Sequence, residues 1–248
     1  MNGPINATLN VTRREFSGYF STPVAWVFIV IFLVMSGVFT FYIGSFYERG
    51  MADLEPFFQF HPWLYLFLVP AVAMRLWAEE RRSGTIELLL TLPVTTAQAV
   101  VGKFLAAWVF VGLALLLTFP LWLTVNYLGK PDNGVILAGY IGSWLMAGGF
   151  LAIGSCMSAI TRNQVVAFIL AVVVCFGFLL SGLPMVMNLF TGWAPQALLD
   201  TIADFSFLAH FAAISKGVID LRDLVYFGLV ITFWLVVNTI VLELKKAD

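Results

Sequence analysis

The sequence predicts an all-α membrane protein with six transmembrane helices, and three observations carry that expectation. Apolar residues make up 61% of the chain and charged ones only 11%, against roughly 25% charged in a soluble domain. The charges are also segregated, leaving uncharged runs over Val24–Tyr47, Pro56–Met74, Phe104–Gly129, Asn133–Thr161, Asn163–Leu199 and Leu224–Leu242; about 20 apolar residues make one crossing. With both termini placed in the cytoplasm, nine of the thirteen Lys and Arg fall inside, including Arg13, Arg14, Arg75, Arg81, Arg82 and Lys103, which is the bias that orients such chains.

The elements follow in order. Ile5, Leu9, Thr12, Phe16 and Phe20 recur at helical spacing, with Asn6, Asn10, Arg13, Arg14 and Ser17 on other faces and Pro23 as a break. Residues 4–22 therefore read as an amphipathic helix lying in the cytoplasmic interface. Spans are expected at about 24–46, 61–78, 98–127, 134–160, 165–189 and 223–243. The uncharged run from Asn163 is too long for one crossing, and Gly182, Pro184, Gly192 and Pro195 interrupt it. Residues 191–221 are accordingly expected to form an extracytoplasmic re-entrant hairpin of short helices before the last span. No fixed-period repeat divides the chain, so 1–248 reads as a single transmembrane domain. The first run exceeds a signal-peptide core of about 7–15 residues, so the N-terminus is expected to be retained.

Composition also excludes function classes. A net charge of −1 without a basic patch argues against nucleic acid. The uncharged runs hold no carboxylate, and His61 and His210 are expected near the outer surface. Ion-coupled transporters need ionisable groups at mid-membrane, so no energy source is expected within this chain. No Gly-x-x-x-x-Gly-Lys-Ser/Thr loop occurs, which excludes ATP hydrolysis by that route. The Glu-Glu-x-x-x-Arg motif of intramembrane prenyl-protein proteases begins at Glu79 but meets Gly84 where its arginine belongs, and there is no His-Glu-x-x-His pair. Neither catalysis nor a metal site is expected. Cys156 and Cys175 lie inside apolar runs and read as small buried residues, and Trp63, Trp122, Trp144 and Trp193 as interfacial anchors.

The segment 79–95, AEERRSGTIELLLTLPVT from Ala78, interrupts this pattern. Glu79, Glu80, Arg81 and Arg82 end the second span, Gly84 and Thr85 permit a sharp turn, and Ile86, Leu89 and Leu90 share one helical face before Pro93 stops it. Thr95 or Thr96 then caps the third span. Mixed-sign charges attract anionic headgroups poorly, which favours a protein-docking helix over one that lies on lipid.

The run EERRSGTIELLLTLPVTTAQAVVGKF resembles the segment between spans two and three of type-2 ABC exporter permeases. That resemblance implies a coupling helix in which Gly84, Thr85, Ile86, Glu87, Leu88, Leu89, Leu90 and Pro93 contact an ATP-binding subunit, flanked by Glu79, Glu80, Arg81 and Arg82. The run DFSFLAHFAAISKGVIDLRDLVYF, from Asp204, is similar to the gliding-motility-associated (GldF-like) permease group. Together the resemblances imply the permease subunit of an ATP-driven exporter in a bacterial inner membrane. They further imply two ATP-binding subunits carrying ATP and magnesium, a second permease copy as a homodimer, and an auxiliary membrane-anchored protein with an extracytoplasmic domain. The rival reading is a non-transporting scaffold that transmits force to a periplasmic partner. Arg75 has two readings, as a gate residue or as a snorkelling cation, and Asp204, His210 and Asp220 read either as a periplasmic partner contact or as ordinary exposed polar groups.

Overall fold

The computed structural model describes residues 4–84, 94–190 and 195–245, all of whose regular elements are helices. In order they are α1 (Pro4–Phe20), α2 (Pro23–Val38, running on through a π-helical turn, Phe39–Ile43), α3 (Glu55–Ala73), α4 (Arg75–Ser83), α5 (Thr96–Leu116), α6 (Phe119–Leu128), α7 (Asn133–Ile160), α8 (Gln164–Leu180), α9 (Pro184–Phe190), α10 (Gln196–Asp204), α11 (Phe207–Ser215) and α12 (Leu221–Leu244). Five stretches among the described residues are long and apolar enough to cross a membrane: α2 with its π turn, α3 with α4, α5 with α6, α7, and α12. Helix α8 is apolar but has 17 residues, so the count is five to six.

Local chemistry sets the starts. Thr95 caps α5 in a full capping box, its Oγ1 accepting from the Gln98 N–H at 3.3 Å while Gln98 Oε1 accepts from the Thr95 N–H at 3.0 Å. Asp132, Asn163, Ser206 and Asp220 cap α7, α8, α11 and α12 in the same sense, each side chain accepting from the first turn. Helix α3 begins at Glu55, earlier than the sequence expectation of residue 61, because Pro56 suits a first turn, where its missing N–H costs nothing, and Glu55 suits the helix N-terminus. Helix α8 ends at Leu180 rather than near 189, with Leu183 N–H folding back to the Leu180 carbonyl in a turn before Pro184. Short helices α10 and α11 occupy most of the stretch expected to be a hairpin.

Helix α7 is the buried centre, with α3, α5, α8, α11 and α12 packed around it. Its glycines allow that closeness. A Cβ on Gly154 would lie 2.5 Å from Ala73 Cβ, and one on Gly139 would lie 2.5 Å from the Phe58 ring. Trp108 of α5 and Trp144 of α7 stack at 4.2 Å, and each indole N–H donates to the other's backbone carbonyl at 2.9 and 3.2 Å. Trp144 is therefore a helix-to-helix clasp rather than an interfacial anchor.

Two placements go beyond the sequence reading. His61 is buried inside the bundle: its Nδ1 shares a hydrogen bond with Ser143 Oγ at 2.7 Å, and Tyr65 OH reaches the same oxygen at 2.9 Å. The stripe expected in α1 divides, with Phe16 and Phe20 packed against the core and its first residues outside it. Ile5 and Leu9 are 73% and 55% exposed, while Val11 is buried against Gly102 and Tyr19 stacks on Phe110 of α5 at 4.8 Å. The face that docks runs through Val11, Glu15 and Tyr19, and it includes a carboxylate that a hydrophobicity pattern does not count.

Gly154→Leu should therefore wedge α7 from α3 and cost about 1–3 kcal/mol through overpacking, read as a lowered thermal midpoint of the detergent-purified protein. Gly177→Ala, whose Cβ meets nothing within 4 Å, should leave that midpoint unchanged.

Candidate functional site

The second crossing is broken just before its charged end. Pro70 supplies no backbone N–H, α3 closes with Met74 N–H on the Pro70 carbonyl at 2.8 Å, and α4 restarts at Arg75. The break frees main-chain groups that lipid cannot satisfy. Ser158 of α7 takes them up: its hydroxyl donates to the Met74 carbonyl at 2.8 Å and accepts from the Trp77 and Ala78 N–H groups at 3.1 and 3.0 Å.

Helix α4 is then fixed on three further sides. The Trp77 indole donates to Ser155 Oγ at 3.2 Å, and Asn238 of α12 donates to the same oxygen at 2.8 Å. The Arg81 guanidinium donates to the Ala159 carbonyl at the end of α7. The third side is Lys103 of α5. Its ammonium is 2.7 Å from Glu80 and 3.1 Å from Glu15 of α1, and lies over the Trp77 ring at 5.2 Å from the centroid. Lys103 is only 3% exposed, so one ammonium clamps α1 and α4 to α5 at the same point. Beside it, Arg75 pairs with Glu79 one turn on, at 2.9 Å. These residues wall a cavity of about 280 Å³ whose floor is formed by Ala25, Phe28, Val72 and Phe110.

Electrostatics follow from that packing. Burial pushes the Glu15 carboxyl upward, but Lys103 and Arg14 together outweigh it and hold the group below the ordinary value of 4.5. Glu15 thus favours the folded state above its unfolded pKa, and that contribution disappears as pH falls through the lower folded value.

Helix α4 ends at Ser83, and Gly84 terminates it in the left-handed region at φ 73°. A residue with a Cβ is disfavoured there, so the chain turns away from the helix axis at Gly84.

A family model for ABC-2 family transporter proteins matches residues 9–242. The chain belongs to that family. No curated protein matches it. It is therefore a permease component of an ABC transporter, a multi-pass membrane subunit that is not itself catalytic, and membership implies an ABC ATP-binding partner.

Within this permease, the structure unites part of the residue set singled out from sequence. Glu80 joins the Lys103 clamp, Arg75 and Glu79 pair with each other beside it, Arg81 binds the end of α7, Arg82 is exposed at the end of α4, and Gly84 makes the turn. Thr85, Ile86, Glu87, Leu88, Leu89, Leu90 and Pro93 lie outside the described residues. At the opposite end, His210 contacts the Asp204 carbonyl through Nε2 at 2.9 Å, while its Nδ1 meets Asp223 at 2.6 Å and its ring stacks on Tyr226. Asp220 caps α12. His210 is thus engaged with Asp223, which the sequence reading did not select, rather than with Asp220. Lys103 was also missed, although it is the sole charge between Thr96 and Leu128; an isolated cation in a membrane-length helix is the signal that marks it.

Lys103→Met should leave Glu15 and Glu80 without their shared counter-charge and lower stability by about 3 kcal/mol, the lower end for a broken buried pair since both carboxylates retain some exposure; chemical or thermal unfolding in detergent reads this directly. On acidification from about pH 7 to about pH 4, the wild type should lose more stability than Glu15→Gln, which has no such proton linkage. Parallel curves for the two proteins would remove Glu15 from the account.

Proposed function

We propose that this permease is the membrane half of an ATP-driven exporter and that residues 84–93 form the helix that docks on its ATP-binding subunit. The observation that carries the reading is the Lys103 clamp: α4 leads directly into that segment, and Lys103 ties α4 to α1 and α5 through Glu80 and Glu15. Displacement of the docking helix would therefore be passed to three elements together rather than absorbed in a loop. Glu79 to Arg82 flank the contact, Glu87 meets a cation of the partner, and Leu88, Leu89 and Leu90 supply its apolar face. Arg75 lies at the wall of the cavity beside the clamp, where it suits a gate residue.

The full assembly in this reading has two permease copies, two ATP-binding subunits that hold ATP and magnesium, and an auxiliary membrane-anchored protein on the far side, as in the gliding-motility-associated group. It sits in a bacterial inner membrane with both termini cytoplasmic. Helix α1 rests in the cytoplasmic interface, its exposed Ile5 and Leu9 turned to lipid and its inner face held by α5. The region of α10 and α11 re-enters the outer leaflet, and Asp204, His210 and Asp220 border the contact with the auxiliary protein.

Copurification with the ATP-binding subunit tests this. Leu89→Asp should lose the subunit while remaining folded. Glu15→Gln, which spares the Lys103–Glu80 pair, should retain the subunit but lower permease-stimulated ATP hydrolysis by roughly tenfold, equivalent to about 1.4 kcal/mol. A fully bound and fully active Leu89→Asp complex would sink the docking assignment.

A further inference from the structure

Helix α12 carries two polar atoms that are sealed from the surface and have no hydrogen-bond partner among the described residues, the indole nitrogen of Trp234 and Oδ1 of Asn238. A serine or threonine hydroxyl in a helix can turn to the carbonyl one turn back, but an indole N–H and an amide oxygen have no such outlet. Lipid offers neither of them a partner, so both must be answered inside the protein.

The two atoms are placed to be answered together. Trp234 and Asn238 are four residues apart, which puts them on one face of α12 with Cβ atoms about 5–6 Å apart. The indole N–H only donates and the amide oxygen only accepts. The other end of the amide is already held, since Asn238 Nδ2 donates to Ser155 Oγ at 2.8 Å, the oxygen that also takes the Trp77 indole N–H of α4.

Helix α7 supplies no further side-chain partner. Ile231 lies against Gly148, where a Cβ would come within 2.9 Å of its Cδ1, and Asn238 lies against Ser155. Trp234 falls between those contacts, and the residue on the same face of α7 between Gly148 and Ser155 is Ala152. Gly148 and Ala152 have no polar side chain, and Ser155 is engaged.

We infer that a single buried water is bound here, accepting from the Trp234 N–H and donating to Asn238 Oδ1. A cation suits the amide oxygen but is opposed by the indole N–H, an anion meets the reverse problem, and an acyl chain answers neither atom. Water donates and accepts at once, and two bonds fall within the range of roughly 2–4 that buried waters make. The site extends the polar chain from Trp77 through Ser155 and Asn238 to Trp234, so the last crossing is seated on the network that holds α4. It goes beyond the docking role proposed above and does not depend on it.

Solution NMR of the full chain in detergent micelles, with isotope labelling confined to tryptophan nitrogen, tests the inference. Trp108→Phe, Trp144→Phe and Trp234→Phe assign three of the eight indole signals while keeping an aromatic ring at each position. In the wild type the Trp234 indole proton should show a cross-peak to water with the opposite NOE and ROE signs of a long-lived bound molecule. The Trp108 and Trp144 protons, which donate to carbonyls, should show none. Asn238→Leu should remove the Trp234 peak, and the wild-type spectrum decides the matter even where that variant fails to fold. A Trp234 proton without a water peak, as a direct bond to Asn238 would give, overturns the inference. So does a peak that persists undiminished in folded Asn238→Leu, or one that Trp108 and Trp144 share equally.

Discussion

A backbone group that lipid cannot satisfy must find its partner inside the protein, and the architecture around α4 follows from how one such need is met. Pro70 weakens the end of α3, the helix breaks at Met74, and the amides of Trp77 and Ala78 turn to a hydroxyl on another helix. Ser158 meets three main-chain groups at once. That holds α4 against the end of α7. A continuous helix would have needed no such partner.

Lys103 then sets where α4 can go. A buried ion pair is weak as a source of net stability, since desolvation offsets much of the attraction, yet removing one partner is costly because a charge remains buried without its counterpart. The consequence is geometric: separating Glu15 or Glu80 from Lys103 is costly, so the ammonium ties the three helices that carry them at one point. Trp77 extends the same constraint to Ser155 and through it to Asn238 of α12. The chain's family implies an ABC ATP-binding partner, and this junction of α1, α4 and α5 stands just before Gly84, where α4 ends.

Several parts of this site were legible in the chain. The switch from hydrocarbon to Glu79–Arg82, and Gly84 after it, mark the end of α4 because a left-handed helix cap favours glycine. Thr95 and Gln98 announce the start of α5 by local hydrogen bonding. What pattern could not supply was partnership across the bundle. Glu15 and Lys103 are separated by 88 residues, and no periodicity links them. Glu15's place on the packed face of α1 is illegible for the same reason: it counts as polar in any hydrophobic pattern, yet burial against Lys103 makes it part of that face. The burial of His61 is equally invisible in the chain, because its partner Ser143 lies on a facing helix, with Tyr65 one turn on reaching the same hydroxyl.

The sequence by itself determined the class of the molecule. Its long uncharged runs have few alternatives to membrane helices, and its caps and breakers act over three or four residues, so a helical chain of five to six apolar spans and most helix starts were set locally. The tertiary structure alone decided which helices meet, that α7 is the centre, that Ser158 splices a broken crossing and that Lys103 joins α1 to α4. Those outcomes depend on close approach between residues remote in sequence, where a glycine, a hydroxyl or a single buried ammonium acts only through the partner that packing brings to it.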